Sequence, residues 1–232
     1  MNPKFGVVVF PGSNCDHDAY YSLKKNLGFD TQFLWHKNHS INNSDVIILP
    51  GGFSYGDYLR SGAIAKLSPL MNEVREFAEK GGIVIGICNG FQILCESNLL
   101  PGALIKNKSL KFVCKDVYVK VTNESKVFSS GVKGEVFKIP IAHGEGNYFI
   151  EENGLNELKQ NSQILFQYCD KNGNITEASN PNGSVENIAG IMSKKGNVLG
   201  MMPHPERVCS DILGNSSGKF IFNSIKFYLK NI

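Results

Sequence analysis

Apolar residues in the first hundred positions gather into short unbroken runs, such as Phe5-Gly6-Val7-Val8-Val9-Phe10, Val46-Ile47-Ile48-Leu49 and Ile83-Val84-Ile85. Runs without apolar–polar alternation mark strands covered on both faces. The first ends at Pro11-Gly12-Ser13-Asn14; a second strand is expected over Asp30 to Leu34. A third, Asp45 to Leu49, is stopped by Pro50-Gly51-Gly52. Between them the period changes to helical. A helix is predicted from about Asp16 to Leu27, with Tyr20, Leu23 and Leu27 inward, and another over Pro69 to Glu79, ending at Gly81-Gly82. Strands alternating with helices predict right-handed crossovers and a parallel sheet flanked by helices.

After Pro101 the texture changes. Phe112 to Val121, Val136 to Ile141, Ile164 to Tyr168, Ile188 to Met192 and Val198 to Met202 read as strands separated by Asn/Gly turns. They predict an antiparallel extension of the same sheet. Lys219 to Leu229 closes the chain as a helix, with Ile221, Ile225, Tyr228 and Leu229 in one stripe. Without a repeat or linker, residues 1–232 are expected to form a single α/β domain.

Composition narrows the class. At 42% hydrophobic and 19% charged residues the chain reads as globular, and its apolar runs are too short to span a bilayer. Met1-Asn2-Pro3-Lys4 leads directly into a strand, so no signal peptide is expected. A net charge of +3 with scattered lysines gives nucleic-acid binding no support. The six cysteines form no CxxC pair, which favours free thiols in a reducing cytoplasm. Cys95, Cys114 and Cys169 read as buried structural residues, whereas Cys15 and Cys209, in polar turns, have open roles. Histidine and cysteine spacing predicts no metal site.

The segment Gly86-Ile87-Cys88-Asn89-Gly90-Phe91-Gln92 follows one strand-like run and leads into helical spacing. A cysteine there occupies a nucleophile elbow, raised above the carboxyl edge of the sheet, where a helix N-terminus stabilises the attacking thiolate. Such a nucleophile needs a base and a group that orients it. Met202-Pro203-His204-Pro205-Glu206 follows another strand; in an extended segment Glu206 would lie alongside His204. Acyl transfer also needs N–H donors for an oxyanion. Candidates are the turn Gly51-Gly52-Phe53 and the amide of Asn89. His17, His36 and His39 sit in polar stretches and are expected to be solvated. His143, amid glycines at the end of an apolar segment, is a candidate pocket residue.

A Gly-Gly loop, then G-x-C-x-G-x-Q, then a late H-P-E resembles the class I, triad-type glutamine amidotransferases across nearly the whole chain. Five further blocks point to the branch serving purine synthesis. They are Phe10 to Asp16, Gly51 to Arg60, Ile141 to Gly146, Asn180 to Ser184 and Pro203 to Arg207. The resemblance implies a flavodoxin-like, mostly parallel sheet with catalytic Cys88, His204 and Glu206. Gly52, Phe53, Asn89 and Gln92, with His143, would bind substrate and oxyanion. It also implies hydrolysis of glutamine through a Cys88 thioester. Ammonia would pass to a large synthetase subunit that uses ATP and Mg to convert formylglycinamide ribonucleotide to its amidine. A small bridging subunit would complete that complex. No Walker-type loop occurs in this chain, which fits nucleotide chemistry on the partner. The rival readings are a stand-alone γ-glutamyl hydrolase and a non-catalytic regulatory subunit; the second would lose a triad residue, and all three are present.

Overall fold

The computed structural model describes residues 2–231; Met1 and Ile232, the ends of the expected domain, lie outside it. In chain order the first half runs β1 (Lys4–Val9), α1 (Asp16–Tyr21), β2 (Asp30–Trp35), β3 (Val46–Leu49), α2 (Pro69–Glu79), β4 (Ile83–Ile87) and α3 (Asn89–Glu96). The second half holds β5 (Ala103–Ile105), β6 (Val113–Val121), β7 (Val136–His143), β8 (Asn147–Phe149), α4 (Glu152–Gln160), β9 (Ile164–Cys169), β10 (Ile188–Met192), β11 (Val198–Met201) and α5 (Lys219–Lys230).

One sheet threads both halves, in the order β2-β1-β3-β4-β11-β10-β9-β6-β7. The first five strands are parallel, and every pairing from β11 outward is antiparallel. The parallel part has the flavodoxin-like order, whose ligand crevice lies beyond the strand carboxyl ends where the order reverses. β3 and β4 are buried at every position, as unbroken apolar runs require when helices cover both faces. On one face α3 lies across β3, β4 and β11. α5 seals β1 through an edge-on contact between Phe222 and Phe5. Each such large side chain contributes about 1.5–3 kcal/mol when fully buried.

Where the folded chain differs from the pattern, the reasons are local. The first helix keeps α-geometry only to Tyr21, then widens into a π-helical turn over Ser22–Asn26, where Leu27 N–H reaches back to the Ser22 carbonyl. α4 and the small β5–β8 pair were not foreseen. α4 offers only Leu155 and Leu158 as an apolar stripe, and the paired strands have three residues each. Two burial expectations are corrected. Cys114 is exposed, because β6 meets β9 only from Tyr118 onward and its first residues have a neighbour on one side alone. His36 is buried rather than solvated; it shares a strand face with Leu34, two residues earlier, and its ring lies among Phe10, Trp35 and Tyr55. Burial pulls its pKa below the usual histidine value.

Candidate active site

The carboxyl edge of the parallel strands gathers the residues singled out above. Cys88 stands between β4 and α3, its N–H donated to the Met201 carbonyl of β11 at 2.8 Å. Its backbone takes φ 51°, ψ −105°, a conformation costing a non-glycine residue on the order of 1–3 kcal/mol. The flanking glycines serve a different need from the strain itself. A Cβ on Gly90 would fall 1.9 Å from the Leu49 carbonyl oxygen, and one on Gly86 would fall 2.5 Å from the Gly90 oxygen. They let α3 press against the sheet, while Cys88 carries the strained turn. That places the sulfur at the start of α3, where unpaired N–H groups favour negative charge.

His204 leaves β11 with its N–H donated to the Pro140 carbonyl at 2.8 Å. Its Nδ1 lies 2.6 Å from Glu206 Oε1, and both side chains are buried. The expected pairing is present, but by another route. Pro205–Val208 forms a 3₁₀ turn with His204 at its start, which carries the carboxylate back to the ring. With Nδ1–H donated to Glu206, Nε2 is left buried without a hydrogen-bond partner. Gly51 shows how closely the groups converge: a Cβ there would stand 2.7 Å from His204 Cε1 and 3.4 Å from Cys88 Cβ. Burial alone would drive the imidazolium pKa down. The facing charges of Glu206 and Cys88 outweigh it and hold the proton on His204, with a pKa of about 10. The Cys88 Sγ lies 3.7 Å from the Ala142 carbonyl oxygen.

The loop after β3 is only partly arranged as expected. Gly52 adopts φ 119°, a value suited to glycine. The Phe53 N–H donates to the Gly12 carbonyl at 3.3 Å, so it is not directed at an oxyanion position. Asn89 has a role its backbone does not suggest. Its side-chain oxygen accepts the Ser54 N–H at 3.2 Å and its amide donates to Gln92 Oε1 at 2.8 Å, tying the loop to α3. Gln92 in turn donates to the Glu145 carbonyl at 2.7 Å.

Between these elements lies a cavity of about 260 Å³, walled by Gly52, Phe53, Cys88 and Gln92 on one side and by Ala142 to Glu145 on the other. His143 does line it. Its ring is held by Asn107 Oδ1 at 3.1 Å and faces the Asn182 side chain. Burial, reinforced by the nearby His204, lowers its pKa to about 4 and keeps it neutral. The sequence reading did not assign Asp57, Ser61, Phe112, Ala142 or Glu145 to this wall. Asp57, Ala142 and Glu145 lay within matched blocks, which was the available signal; Ser61 and Phe112 lay outside them. Cys15 and Cys209 are both buried, and Cys15 accepts a hydrogen bond from Arg207 Nη2 at 3.1 Å beside Gly51. Burial pushes both thiols up to about 12. Among the described residues no group of three or more His, Cys, Asp or Glu converges as a metal site, and no helix is long and apolar enough to cross a membrane.

The chain is similar to known proteins over nearly its whole length. Residues 2–221 match the CobB/CobQ-like glutamine amidotransferase domain. The phosphoribosylformylglycinamidine synthase subunit PurQ of Koribacter versatilis is 56% identical over 223 residues, covering 96% of each chain. That of Salinibacter ruber is 52% identical over 226 residues, covering 97% of this chain and 96% of the relative. A chain in the structure of PurLQS from Thermotoga maritima superposes with a TM-score of 0.85 at 43% identity, over 99% of this chain and 100% of that one. With an elbow cysteine, a buried His–Glu pair and this kinship over almost its whole length, the chain belongs to the glutamine amidotransferase family, alongside the PurQ subunits of phosphoribosylformylglycinamidine synthase.

Proposed function

We propose that this chain is the glutaminase subunit of a phosphoribosylformylglycinamidine synthase, a single amidotransferase domain that releases ammonia for a cytoplasmic partner. The observation that carries the reading is the convergence of Cys88 and His204 at Gly51, with Glu206 paired to His204, in a chain of this family. Cys88 attacks the side-chain amide carbon of glutamine. His204 delivers a proton to the departing nitrogen, ammonia leaves, and a γ-glutamyl thioester remains on Cys88. Water then attacks that thioester, His204 taking its proton, and glutamate is released with the thiol restored. Glu206 holds the imidazole with Nε2 toward the sulfur and balances its positive charge. The Asn89 N–H, first in α3, is one oxyanion donor; the Gly52–Phe53 segment supplies the other once Phe53 leaves Gly12. Gln92 and His143 shape the pocket for the substrate.

Kinship with a chain of PurLQS supports a complex with a large synthetase subunit and a small bridging subunit. ATP and Mg are used by the synthetase, which aminates formylglycinamide ribonucleotide. The deciding assay measures glutamate release and amidine formation from glutamine, by this chain assembled with its synthetase partners. Glutamine turnover coupled to amidine formation is expected. Glutamine hydrolysis at the same rate without partners would favour a stand-alone hydrolase, and absence of hydrolysis in the complex would sink the reading.

A further inference from the structure

The loop after β3 is fastened at a point outside the cavity. Tyr55, half-buried, does not line the cavity wall. Its hydroxyl lies 2.8 Å from His36 Nδ1 and 3.2 Å from Ser68 Oγ, and those two atoms are 3.3 Å from each other. The Tyr55 ring meets the imidazole edge-on, with 5.6 Å between centroids. His36 directly follows β2 and Ser68 directly precedes α2. Both are buried, and the His36 carbonyl accepts the Leu70 N–H at 3.1 Å, so they form one fixed seat. The Ser68 side chain does not cap α2, which leaves its hydroxyl to this cluster.

As a brace for the fold the cluster is poor. His36 Nε2 is buried with no hydrogen-bond partner among the described residues, and Tyr55 stands at φ 56°, a strained value for a residue with a side chain. Apolar residues of the same size would hold the elements together without either penalty. What the cluster does fix is one backbone form of the loop. With Tyr55 seated, its own N–H donates to the Pro11 carbonyl at 2.6 Å, and the Phe53 N–H, two residues earlier, donates to the Gly12 carbonyl at 3.3 Å. The fit between the two loops is close: a Cβ on Gly12 would come 2.6 Å from the Phe53 carbonyl oxygen. We propose that Tyr55, His36 and Ser68 form a latch that keeps the loop in this resting form, and that its opening frees the Phe53 N–H for the oxyanion. This rests on the glutaminase reading and adds what restrains that site. Because the latch lies outside the cavity, it opens without moving Cys88, His204 or Glu206. Loss of the Tyr55 hydroxyl leaves His36 Nδ1 and Ser68 Oγ within reach of each other, so the seat survives its release.

The test is Tyr55→Phe, which removes the hydroxyl and keeps the ring. Glutaminase kcat of the isolated chain is expected to rise by on the order of fivefold, the population shift that follows loss of one hydrogen bond of ordinary net strength. KM should change little, since an oxyanion donor acts on the transition state. In the complex with the synthetase partners, where the loop is already drawn open, kcat should match the wild type. Activation on assembly therefore shrinks by the same factor. Ser68→Ala removes one of the two partners of the hydroxyl and should raise the isolated rate in the same direction, by less. Thermal denaturation establishes that each variant is folded. A folded Tyr55→Phe chain whose kcat stays at or below the wild-type value overturns the latch. If Tyr55→Phe does not fold, Ser68→Ala decides by the same criterion, and unfolding of both would make the cluster a brace and overturn the latch too. A wild-type complex that hydrolysed no glutamine would instead remove the glutaminase reading, and the latch with it, a result distinct from these.

Discussion

Cys88 is one of six cysteines, and its neighbours explain why it alone is suited to attack. Cys15, Cys95, Cys169 and Cys209 are buried where desolvation raises the thiol pKa, and Cys114 is exposed on β6, with no helix N-terminus beneath it. Replacing Cys88 by Ala or Ser should abolish glutamine-dependent synthesis by the complex while ammonia-dependent synthesis persists, since free ammonia bypasses the thioester. His204→Ala should cost on the order of 10²–10⁴-fold in glutaminase kcat, and Glu206→Gln less. The double variant should be little worse than His204→Ala, because the two act as a unit. His143 predicts a pH effect on stability instead. Its pKa falls from 6.5 in an unperturbed chain to about 4 in the fold. Between those values the unfolded chain binds a proton that the folded one refuses, so stability is full above pH 6.5 and declines toward pH 4. The loss is roughly 3 kcal/mol for a group this buried. Denaturant titrations of wild type and His143→Gln across that window should diverge by about that amount; parallel curves would refute the assignment.

At the level of elements, the strand-to-helix turn depends on the closeness of α3 to the sheet. A methyl group on Gly90 would meet the Leu49 backbone at 1.9 Å, and backbone cannot swing aside as a side-chain end can. Gly90→Ala should therefore cost about 3 kcal/mol or more, read as a lowered denaturation midpoint, and should disturb Cys88 as well. A Gly90→Ala protein of wild-type stability would show that α3 can move away. Most elements of this kind were legible in the sequence because burial on both faces writes itself as unbroken apolar runs: α2 and β10 fall where their residues predicted. The three-residue strands β5 and β8 are too short to show a period, and α4, with Gly154 inside it, shows little stripe. The proposed site was legible where its chemistry requires a residue type, as in the pairing of His204 with Glu206. It was not legible where the backbone or a distant loop does the work. The Ala142 carbonyl, the turn that returns Glu206 to His204, and the Asn89 side chain that holds Ser54 depend on the fold bringing separate strand ends together.

Across the whole molecule, the residues proposed as nucleophile and base stand together, while the loop proposed to hold the oxyanion points its Phe53 N–H elsewhere. The Gly51–Asp57 segment holds four residues at positive φ, Gly52, Tyr55, Gly56 and Asp57, and its Phe53 N–H is spent on Gly12. Just beyond, Tyr58 and Leu59 are 88% and 73% exposed, an apolar edge continuous with this loop. A surface of that kind next to an unfinished site couples the two: contacts that order Tyr58 and Leu59 also bias the backbone conformation at Gly52 and Phe53. Turning the Phe53 N–H toward the cavity would complete the oxyanion donors without moving the triad. Since such donors act on the transition state more than on bound substrate, completing them raises kcat more than it lowers KM. The isolated chain is therefore expected to hydrolyse glutamine slowly. Assembly with the synthetase subunit carrying its ATP-site ligand should raise kcat by on the order of 10²-fold, the effect of one oxyanion donor. Tyr58→Ala combined with Leu59→Ala should weaken that activation while leaving the slow basal rate in place. Steady-state glutaminase assays of the chain alone and in complex decide it. Equal kcat in both states would mean that the loop reaches its active form unaided, and that Phe53 leaves Gly12 whenever glutamine binds.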